Sequence, residues 1–178
     1  MLTQGQPTCD LLVLNPIESV WCQVYRDWAR GLGAADGAIV QLEDRYRELF
    51  FWLTGAHMDF DYGDEEMMSR LARVEKDASG QPVLWVGQAP YRAVIVGNMV
   101  TLRKSTLDLL MAFRAAGGNV IFTGEPPAYV DATPSSSASD FAASCTQVPW
   151  DGEALTTACR PVLRTPVEVV NAEGTSLG

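Results

Sequence analysis

The chain has 178 residues, of which 47% are hydrophobic and 20% charged, and a formal net charge of -9. This length and composition indicate one globular domain with tails and exclude a disordered or fibrous chain. The negative charge, without a Lys/Arg stripe carrying interleaved aromatic residues, argues against nucleic-acid binding. No run of about 18 apolar residues and no leader-like start is present, so we expect no membrane span or targeting segment. The sequence leaves the compartment open, bacterial cytoplasmic or secreted.

The four cysteines lie far apart and form no C-x-x-C pair. This spacing predicts neither a zinc knuckle nor a redox dithiol. Cys9 precedes an apolar strand and Cys22 lies in a helical pattern, so both are predicted to be core residues. A disulfide between Cys145 and Cys159 is the less favoured alternative to free thiols.

Apolar runs and helical stripes alternate through the first 131 residues. A continuous apolar run predicts a strand covered on both faces, and spacings of three and four residues predict a helix packed on a sheet. The first predicted elements are a strand at 9–14, a helix with its stripe on Trp21, Val24, Tyr25 and Trp28, a helix with its stripe from Ile39 to Leu53, a half-exposed strand at 57–62, and a short helix at 67–71.

The remaining pattern predicts a β-hairpin followed by a strand–helix–strand unit. The hairpin is predicted at 73–76 and 83–86, around a polar turn. A strand at 91–97, a helix at 101–116 that ends at Gly117-Gly118, and a strand at 119–122 come next. This rhythm indicates parallel strands with right-handed crossovers, and hence a three-layer, flavodoxin-like α/β domain.

The composition divides the chain into three segments. Residues 1–8 are predicted to be extended or disordered, and residues 9–131 form the α/β domain. Residues 132–178 are read as a Ser-rich linker and C-terminal segment, because 134–139 is small and polar. This last segment is expected to add one or two strands, at 162–163 and 167–170, before a frayed tail at 171–178.

In open parallel sheets, ligands bind beyond the carboxyl ends of the strands. After the first strand, residues 15–19 offer no phosphate-binding loop, so no flavin or nucleotide cofactor is expected. After the strand at 91–97, residues 97–100 lack the Gly-x-Cys/Ser-x-Gly turn of a hydrolase nucleophile. His57 is interpreted as a structural residue at a strand start. The sequence therefore predicts no nucleophile paired with a base.

The most chemically loaded patch is acidic. We interpret it as capping and solvation, with binding of sugar hydroxyls or a divalent ion as the alternative. No closing acid completes a calcium loop, so no metal site is predicted. The candidate ligand or interface residues are Asp59, Asp61, Asp64, Glu65, Glu66 and Glu18. Of the tryptophans, Trp85 and Trp150 are the freer candidates to stack on a sugar, while Trp21, Trp28 and Trp52 are predicted to be core.

Four segments together resemble a known family: LLVLNPIESVW at 11–21, HMDFDYGDEE at 57–66, YRAVIVG at 91–97 and AGGNVI at 116–121. They are similar to the middle domain of large bacterial glycoside hydrolases, a class I glutamine-amidotransferase-like module akin to the β-galactosidase trimerisation domain. The resemblance covers about residues 9–131. It implies a non-catalytic module that packs on a catalytic barrel, helps shape the substrate cleft and supports oligomer formation.

The expected function is thus a structural and interaction domain within a carbohydrate-active enzyme. Its expected partners are other domains of the same parent chain, a second copy of the chain, or carbohydrate. Two alternatives stay open. One is a stand-alone hydrolase that uses Asp59, Asp61 and Glu65 as acids, bases or metal ligands, and the other is a flavodoxin-like domain that binds a small molecule.

Overall fold

The computed structural model describes residues 9–23 and 37–163. Its helices are α1 (Ile17–Trp21), α2 (Gly37–Gly55), α3 (Glu65–Leu71), α4 (Lys104–Ala115), α5 (Ser137–Ala142) and α6 (Gly152–Cys159). Its strands are β1 (Leu11–Leu14), β2 (Phe60–Gly63), β3 (Ala72–Lys76), β4 (Pro82–Val86), β5 (Ala89–Tyr91), β6 (Ala93–Gly97), β7 (Thr101–Leu102), β8 (Asn119–Thr123), β9 (Tyr129–Val130), β10 (Thr133–Pro134) and β11 (Thr146–Val148).

Five strands form a parallel central sheet in the order β2-β1-β6-β8-β11. Numbered along the chain, this is the doubly wound order 2-1-3-4-5 of flavodoxin-like folds. Two smaller sheets accompany the central sheet: an antiparallel meander, β3-β4-β5, and a mixed sheet, β10-β9-β7, in which β9 runs antiparallel to β10 and parallel to β7. The predicted mainly parallel α/β fold is confirmed.

Helices cover both faces of the central sheet, because alternate residues of each buried strand point to opposite sides. Leu12, Leu14 and the even-numbered residues of β6 face a core with α3, α4 and α5. Leu11 and Val13 face a second core with α2 and α6. Strands buried on both faces must be apolar throughout, which explains the continuous run that predicted β1 and β6.

Two predicted elements are divided in the structure. The strand expected at 91–97 is split at Arg92, because β5 belongs to the meander while β6 belongs to the central sheet. The helix expected from residue 101 begins at Lys104, since Thr101 and Leu102 pair with β9. Both divisions come from pairing with distant strands, which local periodicity does not record.

The expectation of a linker at 134–139 was wrong. Ser137 to Ala142 form α5, which buries Ala138, Phe141 and Ala142 against the sheet. The next strand, β11, then adds a fifth strand to the central sheet beside β8. The strand expected at 162–163 is instead the end of a 3-10 turn, Arg160–Val162, and the following residue.

Several predictions lie outside the described residues, namely those for 1–8, Val24, Tyr25, Trp28, 167–170 and 171–178. Two core assignments were wrong. Trp21 is 59% exposed and Cys22 is also exposed at the end of α1. In the part of the chain that the structure describes, no helix is long and apolar enough to cross a membrane.

Candidate functional site

The candidate site lies at the carboxyl ends of the parallel strands. The strand order reverses between β1 and β6, and this is where open α/β sheets form their ligand crevice. The loops that meet there follow β1, β2, β6 and β8, so residues distant in sequence are brought together. The contacts between these loops decide what the crevice can do.

Glu65 and Glu18 converge on Arg103, which immediately precedes α4. Glu65 Oε2 accepts a hydrogen bond of 2.8 Å from the backbone N–H of Arg103. The Arg103 side chain forms an ion pair with Glu18, with Nε donating to Oε1 at 2.6 Å. Arg103 is the N-cap residue of α4 but caps it with no side-chain bond of its own. Glu65 therefore accepts one of the free N–H groups at the start of α4, and it does so from a different helix.

Glu65 is fully buried, and its Oε1 has no hydrogen-bond partner among the described residues. Burial raises the pKa of Glu65, and the nearby Glu18 carboxylate raises it further. The Thr106 hydroxyl, the Arg103 N–H and the Arg103 charge oppose this rise in the pKa. Because no part of Glu65 reaches solvent, its carboxyl stabilises the packing of α3 on α4 rather than contacting a ligand.

Ser19 is the buried hydroxyl nearest in sequence to the first strand end. Its Oγ accepts hydrogen bonds from the N–H groups of Val100 and Thr101, at 2.8 and 3.2 Å. It also donates to the carbonyl of Thr101 at 3.4 Å. These three bonds tie α1 to the segment after β6. The hydroxyl is fully engaged and inaccessible, so Ser19 cannot act as a nucleophile.

Asn98 stands directly after the central strand β6, where a hydrolase of this architecture would carry its nucleophile. Its φ of 57° is in the left-handed region, which asparagine tolerates better than most residues. Its side-chain amide donates to the carbonyl of Leu42 in α2 at 2.7 Å. Asn98 thus turns the chain sharply and fastens α2 across the crevice.

A cavity of about 240 Å³ lies beside this turn. Gln41 and Arg45 of α2 line one side, and Glu125, from the loop after β8, lines the other. Asn98 contributes a further polar wall. The cavity combines one cation, one anion and two amides, and its size suits a small polar molecule.

Trp150 closes the side of the crevice near β8 and β11. Its indole N–H donates to Glu48 of α2 at 2.8 Å, and its ring lies 5.1 Å from that of Trp52. The guanidinium of Arg45 is 5.3 Å from the Trp150 ring centroid. Trp150 is therefore held between α2 and the strand-end glycines Gly97 and Gly124, whereas Trp85 lies under Arg73 in the meander. The rings of Trp85 and Trp150, the two sugar-stacking candidates, are therefore both partly covered by other side chains.

An aromatic cluster covers α2 and β2 at one side of the molecule. Tyr46 stacks on Tyr62, and Phe50 packs edge-on against both Phe51 and Phe60. Phe50 and Phe51 are 42% and 61% exposed. An apolar groove of about 400 Å³ adjoins the cluster, with a lining that includes Pro16, Ile17, Val20, Leu42, Tyr46 and Phe50.

The structure divides the predicted acidic patch into separate roles. Asp59 immediately precedes β2 and Asp61 lies within it, and both are exposed. Asp64 caps α3 by accepting from the N–H of Met67 at 2.8 Å, and Glu66 pairs with Arg70. The predicted capping is confirmed for Asp64. Of the six candidates, Glu65 and Glu18 both contact Arg103, and the three residues form the Arg103 cluster.

His57 lies in the turn before β2, at the amino ends of the strands and so across the sheet from the crevice. It is exposed, and its φ is 56°. Across residues 9–23 and 37–163, no group of three His, Cys, Asp or Glu side chains could hold a metal ion. All four cysteines are free, so Cys145 and Cys159 form no disulfide.

Sequence reasoning missed three residues that organise the crevice: Ser19, Asn98 and Arg103. Asn98 had a local signal, since it follows a buried strand that ends in glycine and asparagine accepts a left-handed turn. Arg103 and Ser19 had none, because their partners lie 38 to 85 residues away along the chain.

Three comparisons were made, with models of protein families, with curated proteins and with solved structures, and none finds a match to this chain.

Proposed function

We propose that this chain is a non-catalytic structural and interaction domain of a carbohydrate-active enzyme, one that packs on the catalytic barrel of a glycoside hydrolase. The observation that carries the proposal is how the crevice uses its polar groups. Ser19 and Asn98 use their polar groups in hydrogen bonds to the backbone of neighbouring segments, and Glu65 is fully buried at the start of α4. A crevice built in this way supports a scaffold better than a reaction centre.

Exposed apolar surface supports the interaction role. The aromatic cluster on α2 and β2 and the adjoining groove leave large side chains in contact with solvent, and such surfaces mark contacts with other protein. The assignment to a carbohydrate-active enzyme rests on the four segments that resemble the middle domain of glycoside hydrolases. Support for oligomerisation is a further expectation from the same resemblance.

The acidic alternative, a hydrolase that uses Asp59, Asp61 and Glu65, receives no support from the geometry. Asp59 precedes β2 and Glu65 follows it, and the strand between them runs at about 3.3 Å per residue. Glu65 is also fully buried. One solvent-exposed reaction centre cannot include both carboxylates.

Binding of a small polar molecule is the second candidate. The cavity beside Asn98 favours it, because Arg45 and Glu125 bring opposite charges to a space of about 240 Å³ at the strand ends. A thermal-shift panel of sugars, amino acids and flavins would test it. A shift lost in Arg45→Gln would support this function.

The main proposal is tested by turnover and by sequence context. We expect the purified chain not to hydrolyse aryl glycosides or esters, and Asp59→Asn and Asp61→Asn to change nothing. The full open reading frame should place a barrel and β-sandwich domains beside this segment, and sedimentation would report self-association. Turnover that fell on Asp61→Asn would refute the proposal, as would a reading frame without any catalytic domain.

A further inference from the structure

The outer edge of β2 has no paired strand within residues 9–23 and 37–163. β2 is the terminal strand of the central sheet and pairs with β1 alone among the described strands. An edge strand presents backbone N–H and C=O groups that can pair with another extended chain. Natural proteins protect such edges with short strands, charged side chains, proline, a bulge or a covering segment. The four residues of β2, FDYG, include one charge, that of Asp61, but neither lysine nor proline.

The two sheet faces beside this edge differ in chemistry. Phe60 and Tyr62 point to the α2 face, where they contact the exposed aromatic cluster. Asp61 points to the opposite face and accepts a hydrogen bond of 2.9 Å from the Tyr91 hydroxyl. Asp59 is two residues before Asp61 in the chain, and both carboxylates raise the pKa of the Cys9 thiol. The edge therefore has an aromatic face and an acidic face.

In the part of the chain that the structure describes, no cation pairs with this acidic face. Within the described residues Asp59 and Asp61 form no ion pair, while Arg70 and Arg92 from the following elements pair with other carboxylates. A partner that brings positive charge to this face would gain two attractive contacts without displacing an existing one.

We propose that the outer edge of β2 binds an extended segment of a partner polypeptide whose side chains alternate between apolar and basic. The segment adds a strand to the sheet through backbone hydrogen bonds. Its apolar residues lie against Phe50, Phe60 and Tyr62, and its lysines or arginines face Asp59 and Asp61. This inference rests on the proposed interaction function and specifies the chemistry of the partner.

Charge argues against the two nearest alternative occupants. A second copy of β2 would bring a second pair of aspartates to the same edge. The terminal segments of this chain fit poorly as well: residues 1–8 contain no Lys or Arg, and the VEVV run at 167–170 carries an acid between its valines. A basic segment of a partner polypeptide has the complementary charge that both of these occupants lack.

The test measures peptide binding to the full chain by isothermal titration calorimetry. The probe is a capped peptide of alternating lysine and valine, of about six residues, the usual strand length. Three comparison peptides are a Glu/Val version, a scrambled version with the lysines grouped, and a version N-methylated at alternate residues. We expect the alternating Lys/Val peptide to bind at least about tenfold more tightly than each comparison peptide.

Matched variants locate the site. Asp59→Lys should weaken the Lys/Val peptide about tenfold and allow the Glu/Val peptide to bind. Glu153→Lys, the same charge change at an exposed residue of α6, should do neither. Equal effects of the two variants, equal binding of the N-methylated peptide, or no binding would each overturn the proposal. Turnover of a substrate would instead refute the proposed function and leave the peptide result unaffected.

Discussion

The carboxylate of Glu65 caps a helix to which it does not belong: its Oε2 accepts the backbone N–H of Arg103 at 2.8 Å, although 38 residues separate the two in sequence. Asp131 accepts the next N–H, that of Lys104, at 2.9 Å. The N-terminus of α4 thus receives two carboxylates, which satisfy orphan donors and favour the positive end of the helix dipole. Glu65 contacts this helix N-terminus from a fully buried position between α3 and α4.

Removing the Glu65 side chain should destabilise the fold. Glu65→Ala leaves the buried N–H of Arg103 without its acceptor and opens a cavity between α3 and α4. The expected loss is about 2–4 kcal/mol of unfolding free energy, measured by urea denaturation. Thr156→Ala is a comparison on α6, where a partly exposed hydroxyl bonds only within its own helix. A loss no larger than that of Thr156→Ala would contradict the capping role.

Glu65→Gln should reveal the cost of burying the charge. The pKa of Glu65 is raised above its unfolded value of 4.5, mainly by burial. The folded state therefore holds the proton more tightly, and the stability that this provides is present below pH 4.5 and lost as the pH rises through the folded pKa. Glutamine keeps an acceptor and carries no charge.

We expect Glu65→Gln and the unaltered chain to have similar stability at acidic pH. At neutral pH the variant should become the more stable of the two, in urea denaturation repeated across the pH range. Glu66→Gln is the matched control. Its pKa is lowered by Arg70, so its effect should have the opposite pH dependence. If the difference in unfolding free energy between Glu65→Gln and the unaltered chain did not grow with pH, ionisation of the buried Glu65 carboxyl would not destabilise the fold.

Asn98 should tolerate replacement poorly because two demands meet at one residue. Asn98→Ala loses the amide bond to the Leu42 carbonyl and places alanine in the left-handed region. We expect a loss of about 2–3 kcal/mol in unfolding free energy. Asn98→Gly also loses the hydrogen bond, but glycine accepts the left-handed backbone angle. The unfolding free energy of Asn98→Gly should therefore lie between those of the unaltered chain and Asn98→Ala. If glycine were as damaging as alanine, the backbone angle would not contribute.

The sequence predicted the elements whose signal is local. β1 and β6 are apolar at every position because helices cover both faces, and α2 repeats its apolar residues every three to four positions. The predicted hairpin also formed, since Asp77 accepts three hydrogen bonds from Ser79 and Gln81 in its turn. Periodicity and turn chemistry are properties of short segments, and a single sequence displays them.

The rest depended on contacts that no short segment records. The serine-rich sequence of α5 predicted a linker, but this segment is a helix because three of its residues are buried against the sheet. The acidic string 59–66 was seen as one patch, but the chain passes from one end of β2 to the other within it. Asp61 therefore lies on the edge strand of the sheet, whereas Glu65 lies in the Arg103 cluster. Composition identifies such residues and topology assigns their roles.

Gly97 should be intolerant of any side chain. A Cβ there would lie 2.5 Å from Cγ2 of Thr123 and 3.2 Å from the Trp150 ring. Thr123 lies on the neighbouring strand β8, and Trp150 is held against α2. Gly97→Ala is expected to cost about 1–3 kcal/mol through overpacking, measured by thermal or urea unfolding. Gly55→Ala is the control, since a Cβ at that position meets nothing within 4 Å. Equal stability of the two variants would show that the crevice can relax.

The thiols should differ in reactivity by their burial. Cys22 is exposed, whereas burial raises the pKa of Cys9 to about 11 and that of Cys159 to about 12. Cys145 is partly buried and its pKa is also raised, mainly by desolvation. Because the thiolate is the reactive form, Cys22 should react first with Ellman's reagent at neutral pH. We expect one fast thiol in the native chain, four in denaturant, and loss of the fast phase in Cys22→Ser. A fast phase that survived in Cys22→Ser would mean that one of the three protected thiols is accessible, and Cys145→Ser would then identify whether the side chain beside α5 opens to solvent.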